Sequence, residues 1–381
     1  MTVTDHGLHT EAEILQQPVL WPEVARLVAD HRTELEALLG PLLNDPTSRI
    51  LLCGAGTSAY AGQVAGSALS TALGRQVEAV ATTDLVTAPA AHLVPDVPTL
   101  IVSFARSGNS PESLAATELA DQLLGDVRHL VLTCDSEGGL ARAHRGRATS
   151  VVLLMPPAAN DRGFAMTSSF TCMTLAALLA LGGSDEGTAD RVEQLSGAAA
   201  MLLADRAQIA ELAGLRPDRV VYLGSGALTG LARESALKLT ELTAGEVVTL
   251  AESSLGFRHG PKSVLTPRTL TVVYVSNDSY TRRYDVDLLA ELTAGQDPGP
   301  VLAVDGSGRA DLPGSVHVLR LRGVADLPDA WWGLPAVLVA QLIGLESSLL
   351  RGHTPDNPFP TGEVNRVVQG VTIHPWQHDP R

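Results

Sequence analysis

The chain has 381 residues, 45% of them hydrophobic. That is enough for a sizeable core and, at roughly 150 residues per domain, for two or three units. With 27 basic against 42 acidic residues the formal net charge is −15, which excludes a nonspecific electrostatic grip on nucleic acid or on an anionic membrane. An anionic substrate therefore has to be attracted by local features, and aromatic residues, at 4%, are too few to suggest a stacking cage for a flat cofactor.

In chain order, residues 1–44 read as a helical arm, and its first 17 residues carry no basic segment followed by an apolar stretch, hence no secretory signal. A strand that starts at Arg49 runs into Gly54-Ala-Gly-Thr57-Ser58, with a helical pattern over 60–73, and a second strand is predicted over 77–81. A third strand over 100–104 ends in Ala105-Arg106-Ser107-Gly108-Asn109-Ser110-Pro111, which opens a helix over 113–124. The hydroxyls of Ser107 and Ser110, the Arg106 cation, the permissive Gly108 and the free amides of a helix N-terminus together make a phosphate cradle, and Thr57 and Ser58 at the end of the first strand can cover its other side. Ser110 also suits the helix cap, with Pro111 at the first helical position. The turn at 54–59 approximates a dinucleotide fingerprint, but Thr82 and Thr83 stand where that motif wants an acidic residue, so no nucleotide cofactor is expected.

The pattern then repeats. Arg49-Ile-Leu-Leu-Cys-Gly-Ala-Gly matches Arg219-Val-Val-Tyr-Leu-Gly-Ser-Gly, 170 residues later, and Val77-Glu-Ala-Val pairs with Val247-Val-Thr-Leu and Val131-Leu-Thr-Cys-Asp with Val301-Leu-Ala-Val-Asp at the same offset. Thr99-Leu-Ile-Val pairs with Thr271-Val-Val-Tyr at 172 and Ser150-Val-Val-Leu with Ser315-Val-His-Val at 165. Short runs of Val, Ile and Leu alternating with helical stretches predict two doubly wound, flavodoxin-like α/β units of five parallel strands each, with ligands at the strand C-termini. The expected divisions are 45–185 and 212–350, a helical linker over 186–211, and a proline-rich tail over 351–381 that wraps the body. The apolar segment 331–350 contains Gln341, Glu346 and Pro335 and is read as a core helix rather than a membrane span. Cys53, Cys134 and Cys172 lie in apolar runs without metal-ligand spacing, so free buried thiols, no metal site and a cytoplasmic setting are expected.

The second copy has no glycine in Ser276-Asn-Asp-Ser-Tyr-Thr, the counterpart of the phosphate loop. It holds titratable groups instead: Lys238 and Glu241 one turn apart on a helix, and His259 on a loop set by Gly256, Gly260 and Pro261. A carboxylate near C1 and C2 and a histidine able to open a pyranose ring are the groups that aldose–ketose chemistry needs.

Gly56-Thr57-Ser58, Arg106-Ser107-Gly108-Asn109-Ser110, Ala236-Leu-Lys238-Leu-Thr-Glu241, His259-Gly-Pro and Val371-Thr-Ile together resemble the sugar isomerase (SIS) domain family over nearly the whole chain. The arrangement is similar to the isomerase half of glucosamine-6-phosphate synthase. That resemblance implies that Ser58, Ser107 and Ser110 bind a sugar phosphate, that Glu241 shuttles the C1/C2 proton, and that His259 opens the ring, from a neighbouring subunit of a homodimer or larger homo-oligomer. No glutamine-hydrolysing domain precedes the first copy, and Gln369 stands where the synthase has an imine-forming lysine. His9-Thr-x-x-Glu-Ile-x-x-Gln-Pro-x-x-Trp21 and Val364-Asn-Arg-Val-Val-Gln-Gly-Val resemble the bacterial group of galactosamine-6-phosphate deaminases, also labelled tagatose-6-phosphate ketose/aldose isomerases. The activity so implied is conversion of galactosamine 6-phosphate to tagatose 6-phosphate and ammonia. A plain aldose–ketose isomerase and a sugar-phosphate sensor without catalysis are the alternatives.

Overall fold

The computed structural model describes residues 8–183, 185–295, 299–368 and 370–377; the Gln369 position singled out above lies outside the described residues. Ten strands form two five-stranded sheets that are parallel throughout. The first contains β1 (Arg49–Gly54), β2 (Glu78–Ala81), β3 (Thr99–Ala105), β4 (Val127–Thr133) and β5 (Ser150–Leu154), in the order β2-β1-β3-β4-β5. The second contains β6 (Arg219–Gly224), β7 (Val248–Glu252), β8 (Thr269–Val275), β9 (Val301–Asp305) and β10 (His317–Arg320), in the equivalent order β7-β6-β8-β9-β10. Helices cover both faces, so the central strands β3 and β8 are buried along their whole length and show no polar alternation.

The ladders correct the register of the repeat. Arg49 pairs with Thr99 and Arg219 with Thr269, so Thr269, not Thr271, is the counterpart of Thr99 and the 170-residue offset carries through the central strand. The two-residue insertion falls later: Ile101 pairs with His129 but Thr271 pairs with Val301, which makes Val301 the counterpart of His129 rather than of Val131. Two neighbouring runs of Val and Leu look alike when slid by two residues, because that slide preserves which face each side chain takes.

Four helices are stacked between the sheets and around them: Thr57–Leu73, Ser168–Gly182, Ala227–Leu242 and Asp329–Arg351. Asp329–Arg351 is long and apolar enough to cross a membrane, but 83% of its most apolar window is buried inside the protein, where it packs on Ala227–Leu242. The N-terminal helices Leu8–Leu15, Gln17–Asp30 and Arg32–Leu43 lie on this stack, tied by Gln17 Nε2 donating to Gln341 Oε1 at 2.7 Å and Trp21 Nε1 donating to Thr171 Oγ1 at 3.1 Å. All three cysteines are free and buried, and burial pushes the Cys53 thiol up to about 12.

The contact that joins the copies is the crossing of Thr57–Leu73 with its counterpart Ala227–Leu242. Gly230 sits at the crossing: a Cβ there would stand 2.9 Å from the Val64 nitrogen and 2.9 Å from Gln63 Cβ. Backbone cannot yield as a side-chain tip can, so Gly230→Ala must push the helices apart, at about 1–3 kcal/mol. We expect a lower unfolding temperature together with a lower turnover rate, since Thr57 and Lys238 lie on these two helices; a variant with both unchanged would show that the crossing tolerates the methyl group.

Candidate active site

Gly56 has a φ of +56°, which turns the chain sharply from β1 into the helix Thr57–Leu73, and Gly226 repeats that turn in the second copy with a φ of +58°. The turn places Thr57 and Ser58 in the first helical turn, both buried. β1 and β3 are neighbours, and the strand order reverses between them, so the loops that follow them meet at the topological switch point where such sheets bind ligands. There they line a pocket of about 240 Å³ with Thr57, Ser58, Arg106, Ser107, Gly108 and Ser110. Phe164 and Met166 contribute an apolar wall, residues 364–366 of the tail close one side, and Glu241 enters from the second copy.

Behind Glu241 lies a buried charged knot. Lys238 is fully enclosed, and its Nζ donates to Glu241 Oε2 at 2.5 Å and to Thr57 Oγ1 at 2.9 Å, with Glu234 Oε1 at 3.5 Å. Burial works against the ammonium, but Glu234 and Glu241 more than offset it and hold the lysine above its ordinary pKa. Glu234 is also fully buried and neither of its oxygens has a hydrogen-bond partner. Burial pushes its carboxyl up to about 8, against the pull of Lys238 and with the push of Glu241. The close contacts of the knot are those that Lys238 makes with the quarter-exposed Glu241 and with Thr57. Two helix turns thus aim one carboxylate at the pocket and fix it from behind by an ammonium that also reaches the first copy.

Arg106 is buried as well, and only its Nη2 has a partner, the Arg366 carbonyl oxygen at 3.0 Å; Nη1 has none. Burial and the neighbouring Arg366 charge lower its pKa. The loop that carries Phe164 and Met166 is pinned at both ends. Asp161 accepts from the Thr167, Ser168 and Ser169 amides at the start of Ser168–Gly182, and Glu13 of the N-terminal helix accepts from the Arg162 amide at 2.5 Å and the Gly163 amide at 3.2 Å. Burial pushes Glu13 up to about 7, with Asp161 adding to the rise.

Of the residues singled out from sequence, the structure brings Thr57, Ser58, Arg106, Ser107, Ser110 and Glu241 to one pocket, with Lys238 directly behind. His259 is not among them: it ends the short turn Gly256–Arg258, is exposed, and does not line the pocket of its own chain. Glu234 escaped the sequence reading because an acid four residues before a lysine on a helix is the pattern of an ordinary surface pair; its Ala- and Leu-rich surroundings were the available signal. Phe164 and Met166 arrive from a distant segment and left no local signature, and Arg366 stood out only within the tail run that carries the resemblance, without a role of its own. In the second copy a cavity of about 690 Å³ lies at the equivalent loops, lined by Ser225, Asn277, Asp278 and Asp329, and carboxylates of the chain itself take up donors beside it. Asp285 accepts from Ser225 Oγ at 2.7 Å, Ser254 Oγ at 2.6 Å and the Ser276 amide at 3.0 Å, and Asp329 accepts from the Asn277 amide and Ser276 Oγ. Donors that face the pocket in the first copy are here spent on internal carboxylates.

Removing one partner of a buried ion pair costs about 3–5 kcal/mol, because the other is left uncompensated. Lys238→Met, close in length, is expected to lower the urea midpoint of unfolding strongly even without ligand. An unchanged midpoint would mean that the knot contributes nothing to the fold.

The SIS domain family model matches residues 42–181. An AgaS protein of Streptomyces coelicolor is 57% identical over 378 residues, covering 98% of this chain and 97% of that protein. The D-galactosamine-6-phosphate deaminase AgaS of a Shewanella species is 43% identical over 379 residues, covering 98% of this chain and 94% of its own. A crystal structure of tagatose-6-phosphate ketose/aldose isomerase from Escherichia coli, 40% identical, superposes with a TM-score of 0.89 over 97% of both chains. With a two-sheet architecture shared over almost its full length, the chain belongs to the SIS domain family, in the group that contains these AgaS proteins.

Proposed function

We propose that the protein is a phosphosugar deaminase–isomerase that converts galactosamine 6-phosphate and water to tagatose 6-phosphate and ammonia. The observation that carries this reading is the entry of Glu241, fixed on Lys238, into a pocket that also presents hydroxyls, loop amides and a partnerless arginine nitrogen. One end suits a dianion and the other suits a carbon acid. The names of the full-length relatives supply the sugar and the loss of the amine.

In this reading Ser58, Ser107 and Ser110, with Thr57 and Arg106 beside them, hold the phosphate and so orient the sugar chain. Once the ring is open, Glu241 takes the proton from C2, leaving an enolamine, and returns a proton to C1. The C2–H bond breaks as O1 takes a proton, and the C1–H bond then forms as the nitrogen gives one up, so that the product is the C2 imine of the ketose. Water adds to C2, the C2–N bond breaks, and ammonia departs. Lys238 holds Glu241 in place between turnovers, and its ammonium stabilises negative charge that develops beside it. Because His259 is exposed and outside its own chain's pocket, ring opening by this residue requires a homodimer in which it reaches the neighbour's site. The three free, buried cysteines fit a reducing, cytoplasmic setting.

Glu241→Gln keeps the size of the side chain and removes the base. We expect galactosamine 6-phosphate still to bind while turnover, followed as ammonia and ketose together, falls by roughly two to four orders of magnitude. Ser107→Ala with Ser110→Ala should show the opposite split, a raised KM with a smaller effect on kcat, because each lost hydrogen bond to a charged group costs about 1.5–3 kcal/mol. Equal kcat losses without a change in KM for the serine variant, or normal turnover by Glu241→Gln, would contradict the division of labour between the copies.

The shared-site arrangement has its own test. Glu241→Gln and His259→Ala proteins, each inactive alone, should regain part of their activity when their subunits are allowed to exchange. No recovery despite demonstrated exchange would place all the chemistry within one chain.

A further inference from the structure

Two arginines meet at the mouth of the pocket without a carboxylate between them. Arg106 Nη2 donates to the Arg366 carbonyl oxygen at 3.0 Å, Arg106 Nη1 is buried without a partner, and Arg366 Nη2 donates to the Asp161 carbonyl oxygen. Neither guanidinium belongs to a salt bridge among the described residues. The nearby acid, Asp161, has both carboxylate oxygens committed to the start of the helix Ser168–Gly182, so it offers the arginines only its backbone oxygen. A buried cation with a free donor is costly unless something pairs with it, and here the cost is raised by a second cation alongside.

We infer that Arg366 is a second guanidinium ligand of the substrate's phosphate, forming a two-arginine clamp with Arg106, so that the phosphate holds tail residues 364–368 against the pocket they line. The inference rests on the reading of this pocket as a sugar-phosphate site. Arg366 lines the pocket together with Val364, Asn365 and Val368, yet its side chain is exposed, unlike Arg106. Among the described residues the one hydrogen bond between the tail and the phosphate loop is that of Arg106 to a backbone oxygen, which any residue at 366 would supply. What the arginine side chain adds is a second positive charge on the pocket lining, which acts against Arg106 and which a bound dianion turns into an attraction. The phosphate then fixes the tail where it lines the pocket, and an unphosphorylated sugar leaves it unfixed. This makes the tail a discriminator for the phosphate group, distinct from the sugar end where Glu241 acts.

The test is hydrogen exchange on the full chain with galactosamine 6-phosphate, inorganic phosphate and galactosamine as separate probes. Both phosphate-bearing probes should slow exchange over 107–113 and over 364–368, and galactosamine should slow neither. Arg366→Gln, an exposed position where folding is not at risk, should keep the protection over 107–113, lose it over 364–368, and bind inorganic phosphate roughly ten- to a hundredfold more weakly, the value of one hydrogen bond to a charged group. Arg366→Lys should recover part of that affinity. Protection of 107–113 with an indifferent tail in the unaltered protein, or wild-type phosphate affinity in Arg366→Gln, would overturn the clamp and leave the phosphate loop standing. Protection of neither segment by either phosphate probe would overturn the clamp and the sugar-phosphate reading together.

Discussion

A lysine ammonium with no exposed surface holds the site together. Lys238 bonds Glu241 on its own helix and Thr57 on the helix of the other copy, with Glu234 one turn below. An ammonium survives such burial only with close oxygen partners, so the two helices cannot drift apart without exposing or orphaning a charge. The crossing at Gly230 permits that approach, and the positive-φ turns at Gly56 and Gly226 start the two helices in equivalent places. The architecture of the pocket follows: the anion end belongs to the first sheet, the carboxylate is delivered from the second, and the knot sets the distance between them.

The two sheets are alike in strand order, yet the cavities at their two switch points are not lined alike. Each copy turns from its first strand into a helix through a positive-φ glycine. The copies differ in what fills the switch point. In the first, hydroxyls and a partnerless guanidinium nitrogen face open space; in the second, Asp285 and Asp329 occupy the corresponding donors. A carboxylate built into the chain satisfies those donors permanently and leaves the second copy free to supply Glu241 and Lys238 to its neighbour.

Much of this was legible in the sequence because it is written locally. Gly54-Ala-Gly-Thr57-Ser58, the run from Arg106 to Pro111, and the Lys238–Glu241 spacing each need only a few adjacent residues to show their character, and the repeat needs only strands and glycines at a constant offset. The register of the central and following strands was misread by two residues, since β-rich runs of Val and Leu are nearly invariant under that slide. Glu234 was passed over because burial, which turns a common helical acid into a group with a pKa of about 8, is a tertiary property. The Arg106–Arg366 contact joins positions 260 residues apart, and nothing near either residue announces the other. His259 shows the converse: its sequence context is suggestive, and its position in the chain is outside the pocket.

The account stands or falls on one geometry, a sugar phosphate anchored by the first copy with its C1–C2 edge turned to Glu241 of the second. The crystal structure of the Glu241→Gln protein with galactosamine 6-phosphate measures it directly. The phosphate is predicted against Ser107, Ser110 and Arg106, with C1 and C2 about 3–3.5 Å from the side chain at 241, the separation of a near-attack arrangement. A sugar phosphate seated on the second copy, or held in the first with C1 and C2 pointing away from 241, would contradict it.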